Sequence, residues 1–237
     1  MKLNAVNLEK NFDKKPVLTG ASYTFEKGKI YGLLGRNGAG KTTMFNCLTE
    51  NLTLDGGEIT IETDSGKRVT TIDDIGFVFT QPHLPEFMTG YEFIKFFTDI
   101  HKEKIDGVIN IDESFSMVGL DLADAHKLIR EYSHGMQNKL QLLAFLILKP
   151  PVILLDEPLT SFDVVVALQI KNLIKSIKSE HIIIFSTHIL ELAQDLCDEI
   201  VILHNGKLTM LDYSKLHDKN FEEQILKMLM DAEETDD

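Results

Sequence analysis

The residues best equipped for chemistry stand together at positions 35–43, reading Gly35-Arg36-Asn37-Gly38-Ala39-Gly40-Lys41-Thr42-Thr43. Three glycines let backbone N–H groups turn inward around an anion where side chains would block its approach. Lys41 adds a point charge for the β- and γ-phosphates, and the Thr42 hydroxyl is placed to ligate Mg²⁺. This spacing describes a phosphate loop for a nucleoside triphosphate. Its required setting is present too. Lys29-Ile30-Tyr31-Gly32-Leu33-Leu34 reads as a short strand and Lys41 to Leu48 as a helix. The helix N-terminus then directs its partial positive charge at the phosphates.

A second group follows the apolar run Pro151 to Leu155. Asp156, at the carboxyl end of that strand, can hold Mg²⁺ directly or through water. Glu157 can activate the water that attacks the γ-phosphate, because phosphoryl transfer needs positioning and charge compensation. In isolation such a pair is also an ordinary acidic strand end; the phosphate loop upstream favours the chemical reading. His188 ends the next apolar run at the same predicted sheet edge. Its imidazole is either structural or a hydrogen-bond partner for a γ-phosphate oxygen. Ser133-His134-Gly135 precedes a strong helix, Met136 to Leu148, with Leu140, Leu143, Ala144 and Ile147 as its apolar stripe. This start is either a plain N-cap or a second anion cradle.

The elements that must carry these groups follow from the apolar pattern. Val17 to Phe25 and Gly56 to Glu62 suit an antiparallel β layer beside the phosphate loop. The runs Pro151 to Leu155 and His181 to Phe185 suit parallel strands buried on both faces, with ligand at their carboxyl ends. Residues from about 82 to 149 change character and read as an inserted helical subdomain. There Thr89-Gly90-Tyr91-Glu92 is a capping box, and Phe93, Phe96 and Phe97 share a helical face. That stripe is either a small helical core or the floor of a partner groove. The expected fold is α/β: a P-loop NTPase core with a mostly parallel sheet, an N-terminal antiparallel β layer and the inserted helices.

Bulk properties narrow the classes. The 237 residues carry a net charge of −13, which argues against nucleic-acid binding through a basic face. Part of the acid lies in the tail, Asp231 to Asp237. Two cysteines, Cys47 and Cys197, make no disulfide framework, and Cys47 reads as core filler on the helix after the phosphate loop. No stretch approaches a membrane span, so work at a membrane would need spans from another chain.

Together these residues resemble the nucleotide-binding subunit of an ATP-binding-cassette (ABC) transporter, over about residues 2–215. The resemblance implies ATP and Mg²⁺ as cofactors and assigns roles in family order. Phe12 becomes the aromatic that stacks on adenine, Gly35 to Thr43 Walker A, and Gln81 the Q-loop glutamine, near metal and attacking water. Tyr132-Ser133-His134-Gly135-Met136 becomes the signature segment, Val152 to Asp156 Walker B and Glu157 the catalytic glutamate. Thr160-Ser161-Phe162-Asp163 becomes the D-loop and His188 the switch histidine. The family's usual signature is Leu-Ser-Gly-Gly-Gln, so Tyr132, His134 and Met136 are departures, as is Phe162 where leucine is usual. The Tyr-Ser-x-Gly-Met form resembles the exporter group called ABC-2, which points toward export of a drug, lipid, polysaccharide or peptide.

By the same resemblance two ATPase subunits, identical or related, pack head to tail. Ser133, His134, Gly135, Met136 and Asp163 of one face the nucleotide of the other. A transmembrane permease, on a separate chain, docks in the groove between Gln81 and the Phe93–Phe97 helix. The subunit is then peripheral, on the cytoplasmic face of the cell membrane. The segment 216–237 is expected to be a C-terminal helix and acidic tail, packing on the domain or touching a partner. The rivals are a soluble ABC-type ATPase acting on a macromolecule, a small P-loop kinase and a non-catalytic regulatory cassette. Single-cassette length, the missing arginine lid and the presence of both Glu157 and His188 weigh against them in turn.

Overall fold

The computed structural model describes residues 1–13, 15–105, 107–158 and 164–211. The turn expected to carry Asp163 and the segment 216–237 lie outside the described residues. Among the described residues ten strands are formed: β1 (Lys2–Phe12), β2 (Lys15–Glu26), β3 (Ile30–Leu34), β4 (Gly56–Thr63), β5 (Gly66–Val69), β6 (Ile75–Val78), β7 (Val152–Asp156), β8 (Ile182–Thr187), β9 (Glu199–His204) and β10 (Lys207–Met210). The same residues form seven α-helices: α1 (Lys41–Leu48), α2 (Gly90–Ile100), α3 (Ile111–Met117), α4 (Leu122–Ala125), α5 (His134–Leu148), α6 (Val164–Ile177) and α7 (Leu190–Leu196).

The strands make two sheets. One is antiparallel in the order β2-β1-β4-β5; the other runs β10-β9-β3-β8-β7-β6. In the second sheet every pairing is parallel except that of β10 with β9. Strands β3, β7 and β8 are buried along their whole length, which is why they read as unbroken apolar runs. Their side chains alternate between two cores. Tyr31, Leu33, Val152, Leu154, Ile182 and Ile184 join the antiparallel sheet and α1. Ile30, Ile153, Leu155, Ile183 and Phe185 join α5 and its neighbours on the other face.

The antiparallel layer has its own constraint. Leu3, Ala5 and Leu8 are all buried, although strict alternation would send Leu8 outward. A bulge resolves this: Asn7 adopts φ 50°, and the pairing with β2 shifts between Ala5 and Leu8. Gly57, at φ 87°, faces the bulge so closely that a Cβ would lie 2.3 Å from the Asn7 carbonyl oxygen.

Between β6 and β7 the chain runs through α2 to α5. The capping box forms at α2: Thr89 accepts from the Glu92 amide, and Glu92 accepts from the Thr89 amide at 2.9 Å. The aromatic stripe is split, however. The buried side chain of α2 is Ile94; Phe93 and Phe97 pack against the core while only partly covered, and Phe96 is 54% exposed. Four residues per step keep 93 and 97 together, whereas 96 falls on the rim. Helix α5 starts at His134, two residues before the expected Met136, because Ser133 caps it by accepting from the Met136 amide at 3.2 Å. Its stripe Leu140, Leu143, Ala144 and Ile147 is buried against the sheet.

Helix α5 meets β6 where Gly76 leaves room for it. A Cβ there would lie 2.6 Å from the Phe145 ring and 2.7 Å from Pro150 Cγ. Gly76→Val should therefore destabilise the fold by about 1–3 kcal/mol through overpacking. Chemical denaturation measures this; an unchanged midpoint would mean that α5 retreats freely.

Candidate nucleotide site

The phosphate loop after β3 and the carboxyl end of β7 border one open cleft, lined among others by Phe12, Val17, Lys41, Thr42, Asp156 and Glu157. The phosphate loop at its floor needs glycine where the chain turns left-handed, at Gly38 (φ 82°) and Gly40 (φ 100°). Gly40 also passes so near β2 that a Cβ would lie 2.7 Å from Val17 Cγ1. Asn37 and Thr43 line the cleft as well, while Gly35 is buried and Arg36 and Ala39 are partly covered. The Gly35 amide donates to the Thr187 carbonyl at 3.3 Å, which ties the start of the loop to the end of β8.

Lys41 is 6% exposed, and its ammonium donates to the Gly35 carbonyl at 2.6 Å and the Arg36 carbonyl at 3.0 Å. The charge is thereby held inside the curve of the loop rather than in solvent. Burial lowers its pKa below the ordinary lysine value, opposed by the nearby charges of Glu157 and Asp156. Residue Gly40 provides no side-chain cap for α1, so the first-turn N–H groups of that helix remain available to an anion.

Asp156, 7% exposed, is held from several elements at once. Thr42 Oγ1 donates to its Oδ2 at 3.0 Å, and Ser186 Oγ of β8 donates to its Oδ1. Thr80, just past β6, donates to its carbonyl at 2.9 Å. Ser186 Oγ also accepts from the Glu157 amide at 3.1 Å. Glu157 itself sits at φ 47°, a left-handed turn unusual for a residue with a side chain. His188 Nδ1 lies 3.0 Å from Glu157 Oε1. Lys41, Thr42, Asp156, Glu157 and His188 thus converge from positions up to 147 apart in the chain. Among the described residues no cluster of three or more His, Cys, Asp or Glu side chains is arranged to hold a metal. The Thr42–Asp156 oxygen pair still fits Mg²⁺, which binds through one or two carboxylates together with phosphate oxygens and water.

Other sequence candidates fall elsewhere. Phe12, at the end of β1, lines the cleft while 44% exposed, with Lys10 Nζ 5.7 Å from its ring centroid. Gln81 is exposed and does not line the cleft; Thr80, one residue earlier, reaches Asp156 instead. Ser133 and His134 are exposed, Gly135 and Met136 partly so, and none of the four lines the cleft. The thiol of Cys47 is buried, and burial pushes its pKa up to about 11, which leaves it inert. Sequence reasoning missed Val17, Thr80 and Ser186. Of these Ser186 left a signal: a hydroxyl near the carboxyl end of a buried parallel strand, two residues before His188.

Removing the Ser186 hydroxyl would strand one buried oxygen of Asp156 and the Glu157 amide. Ser186→Ala should cost about 1–3 kcal/mol of stability. It should also lower ATP turnover through loss of Asp156 and Glu157 positioning, as a steady-state phosphate-release assay would show. Unchanged turnover would mean that Thr42 and Thr80 suffice to hold the pair.

Known proteins resemble this chain in sequence and in fold. Residues 18–160 match the family model described as ABC transporter. The chain is 32% identical over 232 residues to YhcH of Bacillus subtilis (strain 168), an uncharacterized ABC transporter ATP-binding protein, covering 93% of this chain and 72% of that one. It is 33% identical over 201 residues to the fluoroquinolones export ATP-binding protein MT2762 of Mycobacterium tuberculosis (84% and 65% covered). It is 30% identical over 228 residues to the lantibiotic transport ATP-binding protein SrtF of Streptococcus pyogenes (94% and 97% covered). Among solved structures, an ATP binding subunit of an ABC transporter superposes with a TM-score of 0.80 at 22% identity, covering 96% of this chain and 99% of that one. The ATP-binding cassette MJ0796, a dimer in a post-hydrolysis state bound to ADP and Pi, gives 0.75 at 22% identity, with 89% and 98% covered. At that identity these two likenesses speak to the fold. The chain therefore belongs to the ABC transporter family, as an ATPase that is the ATP-binding subunit of a transporter.

Proposed function

We propose that this subunit powers an exporter by closing on ATP head to tail with a second ATPase subunit. One observation carries the reading. Lys41, Thr42, Asp156 and Glu157 line the cleft and His188 meets Glu157 at 3.0 Å, whereas Ser133 and His134 stand exposed, and Gly135 and Met136 partly so, at the start of α5 and line no part of it. The Ser133 hydroxyl and the N-terminus of α5 behind it face solvent, where a phosphate presented from outside would meet them. On this reading residues 2–215 are the ATPase domain, with 82–149 as its helical part and 216–237 as an appendage.

The roles follow from the chemistry of each group. Phe12 stacks on adenine, and residues 35–43 wrap the phosphates around the Lys41 ammonium. Bound Mg²⁺, held by Thr42 and Asp156, would offset phosphate charge. Glu157 takes a proton from the attacking water, and His188 orients Glu157 or the γ-phosphate. Gln81 approaches the site as the subunit closes, and Asp163 faces it from the partner. The relatives named for fluoroquinolone export and lantibiotic transport support an exporter. No helix among the described residues is long and apolar enough to cross a membrane. A separate permease chain supplies the spans, and its docking segment lies against Phe96 and the α2 surface. The subunit then sits on the cytoplasmic face of the membrane. The net charge of −13 speaks against nucleic acid as a partner.

Glu157→Gln should lower kcat by about 10²-fold or more, the range lost with a general base, while ATP affinity persists. Light scattering with Mg²⁺-ATP should show that variant doubling in mass; near-normal hydrolysis would reject Glu157 as the base. Lys41→Ala should weaken ATP binding in calorimetry, and an unchanged affinity would contradict the phosphate loop. Phe12→Ala should raise the ATP concentration needed for half-maximal turnover with little change at saturation; a pure kcat defect would count against stacking.

A further inference from the structure

Tyr132 stands one residue before Ser133, and its ring fills a notch at the start of α2. Gly90, the first residue of that helix, is buried. A Cβ on Gly90 would lie 2.2 Å from Tyr132 Oη, 3.1 Å from Tyr132 Cζ and 3.3 Å from the Ala125 carbonyl oxygen. The phenol therefore occupies the space of the side chain that Gly90 lacks. The same hydroxyl donates to the Asp124 carbonyl at 2.8 Å, and the residue is 6% exposed. Burial pushes the phenol pKa up to about 12, so the donor proton stays in place. One side chain thus joins α2, α4 and the segment that leads into α5.

Backbone pairing runs beside it. The Ile129 amide donates to the Met88 carbonyl at 2.9 Å, Arg130 to Glu86 at 3.3 Å, and Gly90 to Lys127 at 3.4 Å. Thr89 and Leu128 form an isolated antiparallel bridge. Downstream there is no slack. Tyr132 (ψ 139°) and Ser133 (ψ 159°) are the two extended residues between the 3₁₀ turn Ile129–Glu131 and α5. Two extended residues make a link of nearly fixed length, so a displaced ring displaces Ser133.

We propose that Tyr132 is a positioning residue: seated in the Gly90 notch, it keeps Ser133 and the N-terminus of α5 in register with α2. Whatever moves α2 then moves the groups offered to the nucleotide of a second subunit. The functional consequence rests on the composite-site reading above; the geometry does not.

Gly90→Ala in the full chain is the test, since helix propensity alone would make alanine at this position stabilising. The displaced phenol should loosen the Ser133 cap. Hydrogen exchange by NMR should show the Met136 amide losing about tenfold in protection, the worth of one capping bond. In the Glu157→Gln background, the ATP concentration for half-maximal dimerisation should rise by about as much, with monomer ATP affinity unchanged. Tyr132→Phe added to Gly90→Ala should recover part of both readouts: it removes the 2.2 Å clash with Oη, but leaves a close 3.1 Å approach to Cζ and gives up the bond to the Asp124 carbonyl. Unchanged Met136 protection in Gly90→Ala, or no recovery in the double variant, overturns the proposal. Should Gly90→Ala fail to fold, Tyr132→Leu empties the notch from the other side, and retained Met136 protection there overturns it equally. If Glu157→Gln alone does not associate with ATP, the composite-site reading fails, while the exchange measurement still decides the role of Tyr132.

Discussion

Everything at the cleft depends on keeping one carboxylate buried. Asp156 ends a fully covered strand, and a charge removed from water there is tolerable only if its oxygens are occupied. Thr42 and Ser186 occupy them, and Thr80 holds the adjoining carbonyl. These three hydroxyls come from α1, β8 and the chain just past β6. Satisfying Asp156 therefore sets the relative placement of three parallel strands and of the helix behind the phosphate loop. The Ser186 hydroxyl, shared with the Glu157 amide, passes the same constraint to the next residue.

Charge balance explains why the loop can keep its shape. Lys41 is nearly covered, and its ammonium is held by two loop carbonyls within the field of Asp156 and Glu157. Carbonyl oxygens and two acids together supply what water would otherwise provide. Pre-placed charge of this kind needs little rearrangement to meet a phosphate, which is where catalysis of phosphoryl transfer draws most of its effect. The left-handed turn at Glu157 is part of the same economy, since local strain is held in place by the surrounding bonds.

The helices between β6 and β7 answer to a different rule. They form a layer around Ile94, Phe115, Ile129 and Tyr132, and their polar start at Ser133 faces outward. Phe96 and Phe87 remain exposed on this layer, at 54% and 82%. The groups that line the cleft and the polar start of α5 thus lie on separate parts of the chain.

Local order carried much of this in plain view. The glycine spacing of 35–43, the apolar runs ending in Asp156 and His188, and the Thr89–Glu92 box depend on neighbours in sequence, so residue type and period were enough. The α/β fold follows from the apolar runs, and the glycine spacing is part of the motif set that resembles the ABC family. Distance in sequence hid the rest. Only packing could show that Ser186 and Thr80 secure Asp156, that Thr80 rather than Gln81 lines the cleft, that Phe96 leaves the stripe of Phe93 and Phe97, and that Tyr132 fills the notch at Gly90. Sequence determines which groups exist and how each element is patterned, because those are short-range properties. Tertiary structure decides which hydroxyl meets which carboxylate, because burial forces each polar atom to find a partner, as Thr42 finds Asp156 114 positions away.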